Sequence, residues 1–114
     1  MTDRELLEAA ARAAGVEISH GPEGVLWRPV DGKYWVGRWN PLEDNAAALL
    51  LAVKLHLSII HEEQFLGGES TPTIEVIGPE RDGGSRHCEM HSLDDDPAAN
   101  VRRCIVRAAA AMAG

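Results

Sequence analysis

Apolar and polar positions alternate along this chain with two different periods, and the switches between them mark out its elements. Thr2-Asp3-Arg4-Glu5 has the form of a capping box, with a Thr cap and Glu at the third helical position. Leu6, Ala9, Ala10, Ala13 and Ala14 then recur at helical spacing, Glu8 and Arg12 pair four apart on the other side, and Gly15 supplies a stop. A first helix is predicted over 3–14. The end of the chain is equally well marked. Asp96 caps, Pro97 takes the first position, and Val101, Cys104, Ile105, Ala108 and Met112 form a buried stripe with Arg102, Arg103 and Arg107 turned elsewhere. That predicts a last helix over 97–112, with Asp94 and Asp95 where a helix N-terminus favours negative charge.

The middle helix reads differently. Asn40 can cap it, Pro41 fits its first turn, and Glu43 can reach back to the cap, so a start near 41 is specified three ways. From Ala46 to Leu57 only Lys54 and His56 interrupt the apolar residues. The spacing predicts a helix over 41–56 that is apolar all round and therefore covered all round.

Period-two runs fill the remainder. Residues 24–30 and 33–39 flank Asp31-Gly32, a dipeptide suited to a type I′ hairpin turn, and Pro29 places the first run at a sheet edge. With a two-residue loop, Val30 faces Lys33, Arg28 faces Trp35 and Leu26 faces Gly37. Further strands are expected at 57–61, 73–77 and 86–91, with 67–72 as loop and a turn within 80–85. The order α-β-β-α-β-β-β-α predicts an α+β fold, a three-layer α-β-α sandwich on a mainly antiparallel sheet, in one domain spanning 1–114.

Two segments of this pattern are similar to a known group. Arg38-Trp39-Asn40-Pro41-Leu42-Glu43-Asp44 with the helix ending Leu51-Ala52-Val53-Lys54-Leu55, and Asp96-Pro97 with 102–110, resemble the small phage and prophage proteins of the phage α-β-α sandwich domain family; so does the opening Asp3-Arg4-Glu5-Leu6-Leu7. The likeness covers both ends and the first half, and is poor over 57–95. It implies a three-layer fold and a phage or prophage gene, and it brings no catalytic residue with it. Asn45-Ala46-Ala47-Ala48 replaces a more polar turn of that pattern, and Leu51 stands where it has a basic residue.

Charge narrows the partners. The net charge is −7, and residues 40–80 hold seven acids against the single base Lys54. Such a surface repels phosphate backbones, so duplex nucleic acid is a poor partner. No run approaches the roughly 18 apolar residues of a membrane span, which makes a cytoplasmic protein the expectation; the phage resemblance implies the host bacterial cell as its place. Cys88, beside two histidines, and Cys104, on an apolar helix face, read as buried structural thiols rather than a disulfide framework.

Four of the five aromatic residues, Trp27, Tyr34, Trp35 and Trp39, lie within 27–39, interleaved with Arg28, Lys33 and Arg38. One hairpin face carries Arg28, Lys33, Trp35 and Trp39; the other carries Val25, Trp27, Pro29, Tyr34 and Val36 and reads as core. Aromatics beside cations can stack a flat group and neutralise its phosphate, so those four are the candidate ligand-binding residues. The plainer alternative is that the tryptophans fill core. His87, Glu89 and His91 alternate onto one strand face, near enough in kind to a zinc set for His56 or His61 to complete it, yet outward polar alternation is also how a solvated strand looks. Glu62-Glu63 and Asp94-Asp95-Asp96 read as solvated charge and caps. Ser58, Ser70, Ser85 and Ser92 lack a nucleophile elbow, and neither Gly67-Gly68 nor Gly83-Gly84 sits in a phosphate loop.

No catalytic residue, metal or cofactor is therefore assigned. The expectation is a phage accessory protein acting as a non-catalytic binder, capturing an anionic small molecule such as a nucleotide signal in counter-defence. A protein–protein inhibitor of a host factor, using the acidic 40–80 segment or an oligomer face, is the alternative, and a hydrolase on His87, Glu89 and His91 the third.

Overall fold

Thr2 opens the first helix with both halves of its capping box in place. Its Oγ1 accepts from the Glu5 N–H at 3.1 Å, and the Glu5 carboxylate accepts from the Thr2 N–H at 3.2 Å. The computed structural model describes residues 2–20, 26–29, 36–78, 86–91 and 96–113, and at 20, 26–29, 36–37, 62–66, 69–72 and 86–91 the backbone alone. Helix α1 spans Asp3–Ala14, as its pattern predicts, and ends at Gly15 with φ +67°. Helix α3 spans Pro97–Met112, also as predicted; the Asp96 carboxylate caps it by accepting from the Ala99 N–H at 3.1 Å.

Helix α3 is the element on which the others pack. It meets α1, α2 (Asn45–Lys54) and the strands β5 (Glu69–Ile77) and β6 (Arg86–His91). With neighbours on several sides its buried surface is wider than one stripe. Val106 and Ala109 are buried with Cys104, Ile105 and Ala108, while Val101 and Met112 are partly buried at the margin. Two of the arginines assigned away from the core tie other elements to α3. Arg103 grips the Asp3 carboxylate with both guanidinium nitrogens, at 3.0 and 3.2 Å. Arg102 donates to the Leu42 carbonyl at 2.8 Å and to Asn45 Oδ1 at 2.7 Å.

The strands form two antiparallel sheets: β1 (Ser19–His20), β2 (Leu26–Pro29) and β3 (Val36–Arg38) in that order, and β4 (Ser58–Leu66), β5 and β6 in that order. The fold class is α+β, and the two-residue β1 is an addition to the expected elements. Central strand β5 buries Ile74 and Val76 completely on one face, where they join the α1–α3 core.

Four expectations are corrected. The segment read as strands at 57–61 and 73–77 around a loop at 67–72 is one long hairpin, Ser58–Leu66 against Glu69–Ile77, turning on Gly67-Gly68 with φ +60° and +84°. Positive φ at both central positions is the condition for a type I′ turn, and two glycines meet it without steric cost. Polar 61–64 and Pro72 hid the strands. Pro72 lies one residue beyond the last β5–β6 pair, Thr73 with His91, where a missing N–H costs that ladder nothing.

Second, α2 is Asn45–Lys54 rather than 41–56. Asn40 Oδ1 accepts from the Leu42 N–H at 3.1 Å, and its carbonyl from the Glu43 and Asp44 N–H groups at 3.1 and 2.9 Å. The Asn-Pro signal thus builds a separate tight turn, and Asp44 caps the helix anew by accepting from the Ala46 N–H at 3.0 Å. At the other end His56 takes φ +55°, with its N–H on the Val53 carbonyl and the Leu57 N–H on that of Ala52. This is a Schellman stop with histidine where glycine is usual.

Third, the hairpin register is shifted by two. Arg28 pairs with Gly37 and Pro29 with Val36, so Arg28 does not face Trp35. A shift of two preserves which residues share a face and changes only who stands opposite whom. The residues that connect Pro29 to Val36, the expected turn at Asp31-Gly32 among them, lie outside the described residues. Fourth, α2 is not covered all round: Leu49, Leu50 and Val53 are 60%, 57% and 64% exposed. Its main neighbour is α3, and a helix leaning on one neighbour hides one face.

A candidate pocket between Trp39 and helix α2

Trp39 leaves the end of β3 directly before the Asn40 turn, and that turn sets where its ring goes. The turn is held by the Asn40 bonds, by buried Pro41, and by Arg102 reaching across from α3 to the Leu42 carbonyl. Trp39 is 4% exposed and packs within the core that also holds Leu51, Ala52 and Leu55 of α2 and its final turn. Arg38, one residue earlier, points the other way into solvent, 3.6 Å from an equally exposed Glu43 carboxylate. A pair so wetted is worth little.

Burial of Trp39 is not tight on all sides. Between α2 and the end of α1 lies a cavity of about 320 Å³, bounded by Ala14 and Val16, by Trp39, and by Ala47, Leu50, Leu51, Val53 and Lys54. Its size falls at the lower end of the range for small-ligand sites. The lining is apolar apart from the exposed Lys54, which sits in the last turn of α2 where helix carbonyls favour a cation. Chemically, this arrangement can enclose a flat or aliphatic body against the tryptophan and match one negative charge at the rim. It supplies no nucleophile and no acid–base pair.

On the far side of Leu49 a second cavity, about 280 Å³, opens between Asn45, Ala48, Ile59, Ala98, Val101, Arg102 and Ile105. Leu49, Leu50 and Val53 therefore form an exposed apolar ridge between two apolar hollows. Ridges of this kind are uncommon on monomeric proteins and mark binding surfaces.

Of the four residues proposed from sequence, Trp39 lines the cavity. Arg28 occupies a β2 position whose backbone partner is Gly37, and Lys33 and Trp35 lie outside the described residues. Lys54 was passed over as an interruption in an apolar run. Its signal was its isolation, the lone base among seven acids in 40–80.

The histidine set fares differently. Val76 pairs with Cys88 and Ile77 with Arg86, so His87 is the extra residue of a bulge. Glu89 and His91 keep regular positions opposite Glu75 and Thr73, and Thr73 lies in turn opposite Glu62 on β4. Thr73 itself is 1% exposed, and its hydroxyl has no hydrogen-bond partner among the described residues. Among the described residues no three His, Cys, Asp or Glu come together as a metal site, and no helix is long and apolar enough to cross a membrane. Cys104 is buried, as expected, and Asp96 serves as a cap.

Comparison with protein-family models, with curated proteins and with solved structures finds no match to the chain.

Proposed function

We propose that this chain is a non-catalytic binding protein, a phage or prophage accessory factor working in the cytoplasm of the host bacterium, that captures a small anionic molecule in the cavity beside Trp39. The observation that carries this reading is the 320 Å³ apolar hollow with one cation, Lys54, at its rim. One cation and a wall of aliphatic and indole carbon favour a flat or apolar-bodied monoanion. A nucleotide signal would draw on the same wall. The fold proposed with this function is the three-layer α-β-α sandwich of the resembling phage family. Its support is that β5 buries Thr73 as well as Ile74, although alternation sends them to opposite faces of the sheet. Burial on both faces of a strand is what a layer on each side of the sheet would produce.

The test is thermal stability against a panel of aromatic carboxylates, 1-anilinonaphthalene-8-sulfonate and nucleoside monophosphates, since a ligand of the folded state alone must raise the melting temperature. Ala47→Phe, which fills the hollow, should abolish the shift while the unliganded protein still melts cooperatively. Lys54→Gln should weaken anions and leave neutral analogues unaffected. A panel without any stabilising member, or a shift indifferent to Ala47→Phe, would overturn the assignment. The exposed ridge on α2 supports a second reading, capture of a host protein, and that reading predicts no small-molecule shift at all.

A further inference from the structure

The apolar ridge has a charge pattern of its own. Glu43 and Asp44 stand exposed at the start of α2, Lys54 stands exposed at its end, and no other charged residue lies between them. Leu49 and Val53 are four apart and Leu50 and Val53 three apart, so the exposed carbon forms one continuous strip. Asp44 caps the helix on the side turned away from Val53, so the acid at this end of the strip is Glu43, roughly 15 Å along the axis from Lys54. A surface that complements it must present a cation, then apolar side chains, then acid, over the same length. Read in reverse, this helix presents that order itself.

We infer that α2 is a homodimer interface in which two copies pack antiparallel about a twofold axis near Leu49, with Lys54 of each copy against Glu43 of the other. A twofold contact uses the same patch twice and must be self-complementary, and this strip is. The antiparallel direction also sets the positive end of each helix dipole beside the negative end of its mate. A parallel pairing would stack acids on acids and Lys54 on Lys54. The hollow of about 280 Å³ beside Leu49 offers room for side chains of the second copy. The inference goes beyond the ligand reading: Leu50, Val53 and Lys54 serve both surfaces, whereas Leu49 belongs to the ridge and does not line the Trp39 cavity, so a change at Leu49 tests the interface separately.

Sedimentation velocity over about a hundredfold range of concentration tests it; the chain mass is 12.3 kDa, so the expected species is twice that. Leu49→Asp should give a monomer with unchanged helical circular dichroism and an unchanged melting shift toward any ligand of the Trp39 cavity. Lys54→Glu and Glu43→Lys should each weaken the dimer about tenfold or more, because the Lys54–Glu43 attraction becomes a repulsion at both ends of the twofold contact. Mixing those two variants should restore the dimer. The carboxylate introduced in one then meets the ammonium introduced in the other, and the native pair is kept at the opposite end. A wild-type protein monomeric throughout the range would overturn the inference. So would a dimer that survives Leu49→Asp, or a mixture of the charge variants that stays apart. Loss of ligand binding in every form would count against the Trp39 assignment and leave the dimer result standing.

Discussion

Helices α2 and α3 face each other in this fold and solve opposite problems. Helix α3 has an arginine-studded polar side and an apolar side, and its apolar side is sealed: Cys104, Val106, Ala108 and Ala109 have no exposed surface. Helix α2 is richer in leucine yet leaves Leu49, Leu50 and Val53 more than half exposed. Apolar content therefore does not set burial. The number of neighbours does, and α3 has α1, α2 and a sheet while α2 has chiefly α3. An amphipathic helix announces which side will be covered. A helix apolar on every side announces only that something is needed, and in this molecule much of that need is unmet within one chain.

The sharpest way to break the contrast is to truncate one leucine-sized side chain on each helix. Ile105→Ala removes a side chain 3% exposed and should cost roughly 2–5 kcal/mol, because the core around it cannot collapse fully. Leu50→Ala removes one that is 57% exposed and should cost the isolated chain under about 0.5 kcal/mol. Denaturant midpoints at low protein concentration would measure both. Similar losses would mean that α2 is covered in solution, and a Leu50→Ala cost that grows with protein concentration would point to a second copy as the cover.

The two helices also differ in how legible they were. For α1 and α3 the caps, periodicity and stops agree, and the predicted bounds match the structure at both ends. For α2 the local signals competed. Asn40 and Pro41 had the chemistry of a helix start but closed a four-residue turn, and Asp44, four positions on, had equal capping power. Nothing local ranks two good caps; Arg102, sixty residues away, holds Leu42 and Asn45 and so fixes the second. The long β4–β5 hairpin was hidden for a related reason. Glu62, Glu63 and Gln64 do not look like strand, and their pairing with 71–73 follows from the Gly67-Gly68 turn rather than from their own propensities. At the candidate site, Trp39 stood out by its chemistry, whereas Lys54 becomes relevant only once α2 is placed beside α1.

A smaller effect separates the way the helices stop. Helix α1 ends on Gly15 at φ +67°, and α2 ends on His56 at φ +55° in the same kind of motif. A left-handed conformation costs a side-chain-bearing residue about 1 kcal/mol that glycine avoids. His56→Gly should therefore stabilise the chain by roughly 0.5–1 kcal/mol, read by thermal or denaturant unfolding. A destabilised His56→Gly variant would show that the His56 side chain makes a contact worth more than the backbone strain.

The smallest expected effect lies on the sealed side, where α3 is pinned to α1. Both guanidinium nitrogens of Arg103 bond the Asp3 carboxylate, and this contact lowers the Asp3 pKa from its usual 3.8; burial opposes the shift, and the nearby Arg103 and Arg107 charges add to it. A carboxyl group whose pKa is depressed on folding contributes stability that is fully present above the unfolded value and lost as pH falls through the folded one. The window is thus below about pH 4. The magnitude is limited because the side chains are 34% and 62% exposed, and water and salt screen the pair to roughly 0.2–1 kcal/mol even with two hydrogen bonds. Asp3→Asn should cost about that much at pH 7 and progressively less as pH falls below about 4, and moderate salt should shrink the difference. Glu5 sits in the same first turn with a carboxyl also held low by its bonds to Thr2, so raw acid unfolding curves mix the two. Comparing Asp3→Asn with the parent at each pH cancels Glu5, which both proteins retain. A cost for Asp3→Asn that is the same at pH 2 as at pH 7 would show that the residue works through its place in the first turn of α1, and that the seam between α1 and α3 is held by Ala10, Ala14, Cys104 and Ala108 without help from charge.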